Sequence, residues 1–364
     1  MSISNGKTTE HLRRNLMDRV IRVVVVDDSA YLRKVLRQML TRSPFIEVVG
    51  VAREGAEALE MVEKLDPDVV LCDLIMPGMD GITFLREQMA RKPLPVVIVS
   101  ITNEGGELAL AALDAGAIDF VQKPTALATE KIFEVSDELI EKVKAAATVS
   151  MGHLKLALTP GGSDARPSTP LQKAGLVDIV VIGISTGGPQ ALKYLIPQFP
   201  ADFPAPIAVA LHMPVGYTEM YARKLDTTSQ LTVREAQEGD AVEPGVVLFA
   251  PAGRHLTFKR TAAGKPVAHL DTRPFDTPHR PSVDVMFQSA AETFRNRVLA
   301  VVMTGMGSDC KQGAAWIKSQ GGLVFTEAEE TCVVYGMPGS VVEAELSDKI
   351  VPLDRMAAAI LEVV

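Results

Sequence analysis

A serine lies inside a Gly-x-Ser-x-Gly pattern in the second half of this 364-residue chain. The pattern consists of Gly183, Ser185 and Gly187, and it continues the apolar run 179–182. A serine on a tight turn between a strand and a helix exposes its hydroxyl, and neighbouring backbone N–H groups can bind an oxyanion. The pattern also fits an ordinary glycine-rich turn. A dinucleotide fingerprint is excluded, because Gly-x-Gly-x-x-Gly needs glycine where this chain has Ser185.

A histidine and an aspartate could activate this serine. A hydroxyl becomes a good nucleophile when a base takes its proton and an acid orients the base. His212 follows the apolar run 207–211, and Asp309 comes soon after the run 298–303. All three residues would then lie beyond the carboxyl ends of strands, at one edge of one sheet. A hydrogen-bonded surface histidine and a helix-capping aspartate remain open alternatives. The chain order Ser, His, Asp disfavours the α/β-hydrolase fold.

Polar side chains also follow strands in the first half. Asp27 and Asp28 end the first apolar strand, and Asp73 ends the third. Ser100 ends the fourth strand, and Lys123 follows the fifth. Carboxylates gathered at one sheet edge repel each other unless a cation lies between them, and oxygen ligands suit Mg²⁺. A carboxylate beside Mg²⁺ can accept a phosphoryl group, although each acid alone also fits a helix N-cap.

The first half resembles the receiver domain of two-component response regulators over about 125 residues. The matching motifs are Asp27-Asp28, Asp73 with Met76-Pro77-Gly78-Met79-Asp80-Gly81, Ser100 and Lys123-Pro124. The resemblance implies that Asp73 is the phosphoacceptor and that Asp27, Asp28 and Asp73 bind Mg²⁺. The residues that it assigns to the receiver switch are Ser100, Phe120 and Lys123.

Residues 177–364 resemble the catalytic domain of chemotaxis protein-glutamate methylesterases. The matching motifs are Ile182-Gly183-Ile184-Ser185-Thr186-Gly187-Gly188, His212-Met213-Pro214, Pro251-Ala252-Gly253-Arg254-His255, His279-Arg280-Pro281-Ser282-Val283-Asp284, Thr304-Gly305-Met306-Gly307-Ser308-Asp309 and Gly336-Met337-Pro338. The resemblance implies Ser185 as nucleophile, His212 as base and Asp309 as the residue that orients it. It also implies that the N–H groups of Thr186 and Met306 bind the oxyanion, with no cofactor for the esterase.

Small departures accompany this resemblance. Ile184 stands where the family commonly has alanine, and Cys310 where it commonly has glycine. We interpret Cys310 as a small structural residue, because no base is assigned to it. We interpret His255 and His279 as groove or structural residues. A further set of residues forms an acidic run that we interpret as a solvated loop: Glu327, Glu329 and Glu330.

The chain as a whole is predicted to be α/β, with two doubly wound domains on mainly parallel sheets. A flavodoxin-like receiver over 21–147 precedes a Rossmann-like catalytic domain over 176–364. We expect residues 1–20 to be a disordered extension. Residues 148–175 are expected to form a flexible linker, since proline, glycine and serine are frequent there, and the segment 153–158 could dock on a neighbouring domain. The receiver strands are predicted near 22–27, 47–52, 68–73, 95–100 and 118–122.

Composition limits the partners. A net charge of −8 argues against nucleic-acid binding, and no apolar run approaches a membrane span. The first twenty residues lack an apolar signal segment, and three cysteines form no paired framework. These features favour a cytoplasmic protein without direct membrane insertion.

The function that the resemblance implies is a phosphorylation-activated hydrolase. Its substrates would be glutamate methyl esters on the cytoplasmic domains of chemoreceptors. Glutamine side chains of the same domains would be a second substrate. A sensor histidine kinase would be the phosphodonor. The linker is also consistent with the hypothesis that the unphosphorylated receiver packs over the Ser185 groove and blocks it. Two other functions remain open: a receptor-binding adaptor with a vestigial triad, and a phosphate sink that drains a kinase. A DNA-binding regulator is disfavoured by the acidic second half and the missing helix-turn-helix pattern.

Overall fold

The computed structural model describes residues 19–100, 102–123, 131–149, 151–152, 175–274 and 276–364, excluding the side chains of 102–105 and 131–134. Residues 1–18 of the predicted extension and residues 150 and 153–174 of the predicted linker, with the segment 153–158, lie outside this description. The chain divides into two compact units, each built on its own parallel sheet. Within the described ranges, no helix combines the length and apolar character that a bilayer crossing requires.

The sheet of the first unit has five strands. They are β1 (Ile21–Val26), β2 (Ile46–Ala52), β3 (Val69–Asp73), β4 (Val96–Ser100) and β5 (Asp119–Gln122). The helices that alternate with these strands are α1 (Ala30–Leu40), α2 (Gly55–Leu65), α3 (Gly81–Arg91), α4 (Thr102–Asp114) and α5 (Lys131–Ala147). The strand order is β2-β1-β3-β4-β5 with parallel pairs, which is flavodoxin-like and confirms the predicted fold class. Each predicted strand lies within one residue of the observed one at both ends.

Apolar strands and polar helix starts explain this local structure. The β1 residues 23–26 are fully buried valines, as a central parallel strand covered on both faces requires. The chain becomes polar directly after the strand, and Ser29 caps α1 by accepting a hydrogen bond from Leu32 N–H at 3.3 Å. Asp80 caps α3 in the same way, through Thr83 N–H at 2.7 Å. The loops after the strands therefore present polar side chains at the carboxyl edge of the sheet.

The second unit contains a seven-stranded parallel sheet and a separate antiparallel hairpin. The sheet strands are β6 (Ile179–Ile184), β7 (Ile207–Leu211), β8 (Thr232–Glu235), β9 (Val246–Phe249), β12 (Val298–Val302), β13 (Leu323–Glu327) and β14 (Lys349–Val351). The hairpin consists of β10 (His255–Arg260) and β11 (Pro266–Asp271). The helices are α6 (Gly188–Leu195), α7 (Thr218–Asp226), α8 (Val283–Phe294), α9 (Lys311–Ser319), α10 (Met337–Glu343) and α11 (Leu353–Leu361). The strand order of the sheet is β14-β13-β12-β6-β7-β9-β8.

Strand β6 lies at the point where the strand order of this sheet reverses. The chain runs from β6 outward to β7 on one side, and later returns to β12 on the other. Ligand sites of doubly wound sheets lie beyond the carboxyl ends of the strands at such a reversal. Helix α8 packs closely over β6, because a side chain at Gly183 would meet Val283 Cγ1 at 2.3 Å. The glycine thus brings the N-terminus of α8 to the same edge of the sheet.

Candidate active site

Ser185 occupies a sharp turn between β6 and α6. Its N–H donates to the carbonyl of Thr304 at 3.0 Å, and its own carbonyl accepts from Gly188 N–H at 2.7 Å. Gly187 precedes α6 with φ +79°, and a Cβ there would lie 2.5 Å from Val333 Cβ. Both the backbone angle and the lack of space require glycine at this position. The Gly-x-Ser-x-Gly pattern therefore forms the strand-to-helix turn that a nucleophilic serine needs.

His212 follows the neighbouring strand in register with Ser185. Strands β6 and β7 pair Ile184 with Leu211, so Ser185 and His212 are the next residues on adjacent strands. The N–H of His212 donates to the carbonyl of Ile184 at 3.2 Å. Its ring Nε2 lies 2.8 Å from Asp309 Oδ2. The sheet register thus places Ser185 and His212 at the ends of adjacent strands, and the hydrogen bond joins His212 to Asp309.

Asp309 accepts hydrogen bonds from the N-terminus of α8 as well as from His212. Its Oδ1 accepts from Ser282 Oγ at 2.7 Å and from Asp284 N–H at 3.1 Å, and its Oδ2 accepts from Val283 N–H at 2.9 Å. A helix N-terminus stabilises a carboxylate through its free N–H groups and its dipole. Burial opposes ionisation of Asp309, but the hydrogen bonds from His212, Asp284 and Ser282 lower its pKa to about 2. Asp309 is therefore a charged, fixed acceptor for His212.

The hydrogen bond to Asp309 decides which nitrogen of His212 can act as a base. The ionised carboxylate of Asp309 can accept a hydrogen bond but cannot donate one. In the neutral ring of His212, Nε2 therefore carries the hydrogen and Nδ1 carries the lone pair. The ring of His279 stacks on that of His212, with centroids 4.1 Å apart and planes 23° apart. The carboxylate and the stacked ring together fix the orientation of His212.

Two further side chains near these residues are buried and hydrogen-bonded. His255 is buried; its Nδ1 accepts from Ser282 N–H at 3.1 Å and its Nε2 donates to the carbonyl of Pro274 at 3.1 Å. Burial lowers the pKa of His255, which agrees with a neutral ring that hydrogen-bonds to both Ser282 and Pro274. Cys310 is buried with its Sγ 3.6 Å from the carbonyl of Met337, and burial raises the pKa of its thiol. A neutral, buried thiol agrees with the interpretation of Cys310 as a structural residue.

The two segments that carry the predicted oxyanion donors lie against each other. Thr186 is buried, and its carbonyl accepts from Thr304 Oγ1 at 3.0 Å. A side chain at Gly305 would meet Ser185 Cβ at 2.8 Å, so the 304–306 loop packs directly on the nucleophile. Met306 follows Gly305 and is partly buried. Thr186 therefore follows Ser185 directly in the turn, and Met306 lies in the loop that packs on Ser185.

The interpretation of the acidic run as a solvated loop is wrong for Glu327. This residue ends strand β13 and is fully buried, while Glu329 and Glu330 are exposed in the turn that follows. Its carboxylate accepts hydrogen bonds from Thr304 N–H at 2.9 Å and from Thr331 Oγ1 at 3.0 Å. The residue types of the run do not distinguish Glu327 from its exposed neighbours. The signal that reveals it is its place at the end of an apolar strand, at the sheet edge that carries the triad.

The first unit contains a separate acidic pocket. One oxygen from each of Asp27, Asp28 and Asp73 lies within 4.8 Å of the others, with Asp27 and Asp73 buried and Asp28 exposed. Lys123 Nζ lies 2.9 Å from Asp27 and 2.7 Å from Asp73. Burial raises the pKa of Asp73, and the hydrogen bond from Lys123 opposes that effect. Three carboxylates with a solvent-facing side are a donor set that suits Mg²⁺.

The remaining receiver residues lie on strands β4 and β5. Ser100 is buried at the end of β4, and its carbonyl accepts from Lys123 N–H at 2.7 Å. Phe120 is buried in β5, where its carbonyl accepts from Lys142 Nζ at 2.7 Å. Lys142 is also 3.1 Å from Asp119. The structure thus places Ser100 beside the Asp73–Lys123 pair and Phe120 one strand further out.

Comparisons with known proteins follow this division. The CheB methylesterase family matches residues 180–360, and the response regulator receiver domain matches residues 23–134. Protein-glutamate methylesterase/protein-glutamine glutaminase 5 of Myxococcus xanthus is 49% identical over 93% of this chain and 96% of its own length. The Thermotoga maritima protein of the same description is 42% identical over 96% of this chain and 100% of its own. The crystal structure of the Thermotoga maritima CheB methylesterase catalytic domain has a TM-score of 0.50 at 45% identity, covering 52% of this chain and 99% of that domain.

Proposed function

Because this chain belongs to the protein-glutamate methylesterase/protein-glutamine glutaminase family, we propose that it hydrolyses glutamate methyl esters of chemoreceptors. Receptor glutamine side chains are its second substrate, and phosphorylation of its receiver domain activates it. The observation that carries the proposal is the His212–Asp309 hydrogen bond of 2.8 Å beside the Ser185 turn. The likeness over nearly the whole chain supports the substrate class.

Ser185 and His212 perform the first half of the reaction. Ser185 Oγ attacks the ester carbonyl while Nδ1 of His212 takes its proton, and Asp309 stabilises the imidazolium through Nε2–H. The N–H groups of Thr186 and Met306 donate to the tetrahedral oxyanion. His212 then returns its proton to the departing methoxide, so that methanol leaves and the glutamyl group remains on Ser185.

Water completes the cycle at the same residues. His212 takes a proton from water, the hydroxide attacks the glutamyl ester, and Ser185 Oγ recovers a proton as glutamate leaves. A glutamine amide presents the same carbonyl geometry and releases ammonia in place of methanol. The chemistry needs no cofactor in this unit, because the triad supplies the nucleophile, the proton transfer and the charge stabilisation.

Control of the esterase lies in the acidic pocket of the first unit. Asp73 accepts the phosphoryl group from a sensor histidine kinase. Asp27, Asp28 and Asp73 would hold Mg²⁺, which would supply positive charge beside the phosphoryl oxygens. Lys123 stabilises those oxygens as well, and Ser100 and Phe120 are the residues that respond to the new charge. The substrates are the cytoplasmic domains of chemoreceptors, which is consistent with a cytoplasmic protein.

The first test is methanol release from methylated receptor membranes, with and without a small phosphodonor plus Mg²⁺. We expect release by the wild type, an increase with the phosphodonor, and a loss on the order of 10⁶-fold in turnover for Ser185→Ala. Asp73→Asn keeps the basal release and abolishes the increase. No release from the wild type would refute the esterase on this substrate and favour a receptor-binding adaptor. Rapid dephosphorylation without any increase in release would instead favour a phosphate sink.

A further inference from the structure

Glu327 is a buried carboxylate that the proposed reaction does not use. Its side chain is fully buried at the end of β13, and no ion pair among the described residues includes it. A buried carboxylate is costly unless hydrogen bonds or charges compensate it, so its presence calls for an explanation. Its compensation comes from neutral donors: Thr304 N–H at 2.9 Å, Thr331 Oγ1 at 3.0 Å and the thiol of Cys332.

Thr304 connects this carboxylate to the nucleophile turn. Its N–H donates to Glu327, its carbonyl accepts from Ser185 N–H at 3.0 Å, and its Oγ1 donates to the carbonyl of Thr186 at 3.0 Å. Its Oγ1 also accepts from Val334 N–H at 3.0 Å. The same residue begins the 304–306 loop that packs on Ser185. Both segments that carry the oxyanion donors are therefore anchored on Thr304.

Thr331 holds the other end of the carboxylate. Its Oγ1 donates to Glu327 Oε1 at 3.0 Å and accepts from Leu353 N–H, the first residue of α11, at 3.0 Å. Thr331 is itself buried. Glu327 is thus fixed between a helix start on one side and the Thr304 anchor on the other.

We propose that Glu327 is a positioning residue of the esterase: through Thr304 it sets the spacing between the Ser185–Thr186 turn and the 304–306 loop. This inference rests on the proposed function. Oxyanion donors act only when they point at the position that the oxyanion will occupy, and misplacement by about 1 Å can cost 10²-fold in rate. What the site needs from Glu327 is an acceptor for Thr304 N–H, and a glutamine at this position supplies one.

The test compares two variants of the full chain in the methanol-release assay with phosphodonor and Mg²⁺. Glu327→Gln keeps an oxygen for Thr304 N–H, and we expect its kcat to stay within about threefold of the wild type. Glu327→Met has a similar length and no strong acceptor, so we expect kcat to fall by about 10²-fold with KM unchanged. A fluorophosphonate probe, whose adduct with Ser185 mimics the tetrahedral intermediate, should label Glu327→Met more slowly in proportion.

Thr326→Val is the matched control, because it removes a buried hydroxyl from the same strand. Thr326 Oγ1 lies 2.8 Å from Ser347 Oγ and has no hydrogen bond to Thr304. We expect this variant to keep kcat within about threefold even if its melting temperature falls. That result separates general destabilisation of β13 from loss of the acceptor at Glu327.

Two outcomes would overturn the inference. Glu327→Met with kcat within about threefold of the wild type would show that the acceptor is dispensable, and a tenfold loss in Glu327→Gln would show that an acceptor is not sufficient. If Glu327→Met does not fold, Thr331→Val replaces it, and an unchanged kcat in that variant contradicts the inference. Activity retained in Ser185→Ala would instead refute the proposed function, whatever the Glu327 variants do.

Discussion

Asp309→Asn tests the proposed triad most directly, because the change is nearly isosteric. Asp309 Oδ2 accepts from His212 Nε2 and from Val283 N–H, while Oδ1 accepts from Ser282 Oγ and Asp284 N–H. In Asp309→Asn the side-chain amide nitrogen takes the place of either Oδ1 or Oδ2, and in both places it faces at least one backbone N–H donor. At the Oδ2 position it also meets His212 Nε2–H, so the ring must turn its lone pair to Nε2 and carry its hydrogen on Nδ1.

That tautomer cannot take the proton of Ser185. We therefore expect kcat/KM for methyl-ester hydrolysis to fall by a factor on the order of 10⁴, as for the corresponding change in serine proteases. The assay is methanol release from methylated receptor membranes under phosphodonor and Mg²⁺. Glu238→Gln is the control, because His269 and Glu238 form an exposed pair of the same type at 2.8 Å. This control should keep its activity within about twofold.

The same variant changes stability in a pH-dependent way. The pKa of Asp309 falls from its ordinary value of 3.8 to about 2 in the folded protein. A lowered pKa stabilises the fold above the unfolded value, and the stabilisation is lost as pH falls through 3.8 toward 2. The difference corresponds to about 2 kcal/mol at neutral pH. Asp309→Asn should therefore lower the free energy of unfolding at pH 7 by about 2 kcal/mol or more, with a smaller difference at pH 3.

The activity of Asp309→Asn tests whether Asp309 sets the tautomer of His212. If Asp309→Asn keeps kcat/KM within tenfold of the wild type, Asp309 does not determine the tautomer of His212. A large loss of activity with an unchanged pH dependence of stability would refute the argument from the pKa and leave the tautomer argument intact.

The remaining predictions concern single side chains and the metal. His279→Ala should lower kcat by about three- to tenfold and His279→Phe should restore it, because Phe can still stack on His212; equal kinetics for both variants contradict a positioning effect. Cys310→Ala should keep esterase activity within about threefold, and a thiol reagent should leave native protein active, which kinetics before and after alkylation will check. Gly187→Ala should cost about 1–3 kcal/mol in thermal or urea unfolding, because φ is +79° and Val333 blocks the Cβ; an unchanged midpoint would contradict this reasoning. Chelation of Mg²⁺ should abolish the stimulation by phosphodonor and leave basal methanol release, whereas a loss of basal release would place a metal in the esterase itself.

The strands and three residues of the candidate site can be predicted from the sequence because each depends on a local pattern. The buried strand β6 reads as a continuous apolar run, and the serine turn follows it directly. His212 and Asp309 come after runs of the same kind, and parallel strands end at one sheet edge. The predicted nearness of His212 and Asp309 required only that their strands flank β6, which the sheet order confirms. The roles of these residues in catalysis stay predictions.

Contacts that depend on distant segments were beyond the sequence pattern. Asp309 lies at the N-terminus of α8, and the partner Ser282 stands 27 residues earlier in the chain. No local signal indicates that pairing. The same holds for Glu327, whose carboxylate accepts from Thr304 N–H, 23 residues away in the loop after the neighbouring strand. Glu329 and Glu330, which follow it closely, are exposed, so the run as a whole has the composition of a solvated loop.

Asp309 has a second consequence, for how related chains should be interpreted. Its carboxylate closes the first turn of α8 as well as orienting His212, so selection for a stable fold retains it even where selection for catalysis has ceased. Ser185 carries no comparable burden, because its side chain is only partly buried. A descendant that has lost the esterase should therefore change the serine first and keep the aspartate. On the proposed mechanism, we expect the serine alone, more than the complete set of three residues, to distinguish active members from inactive ones.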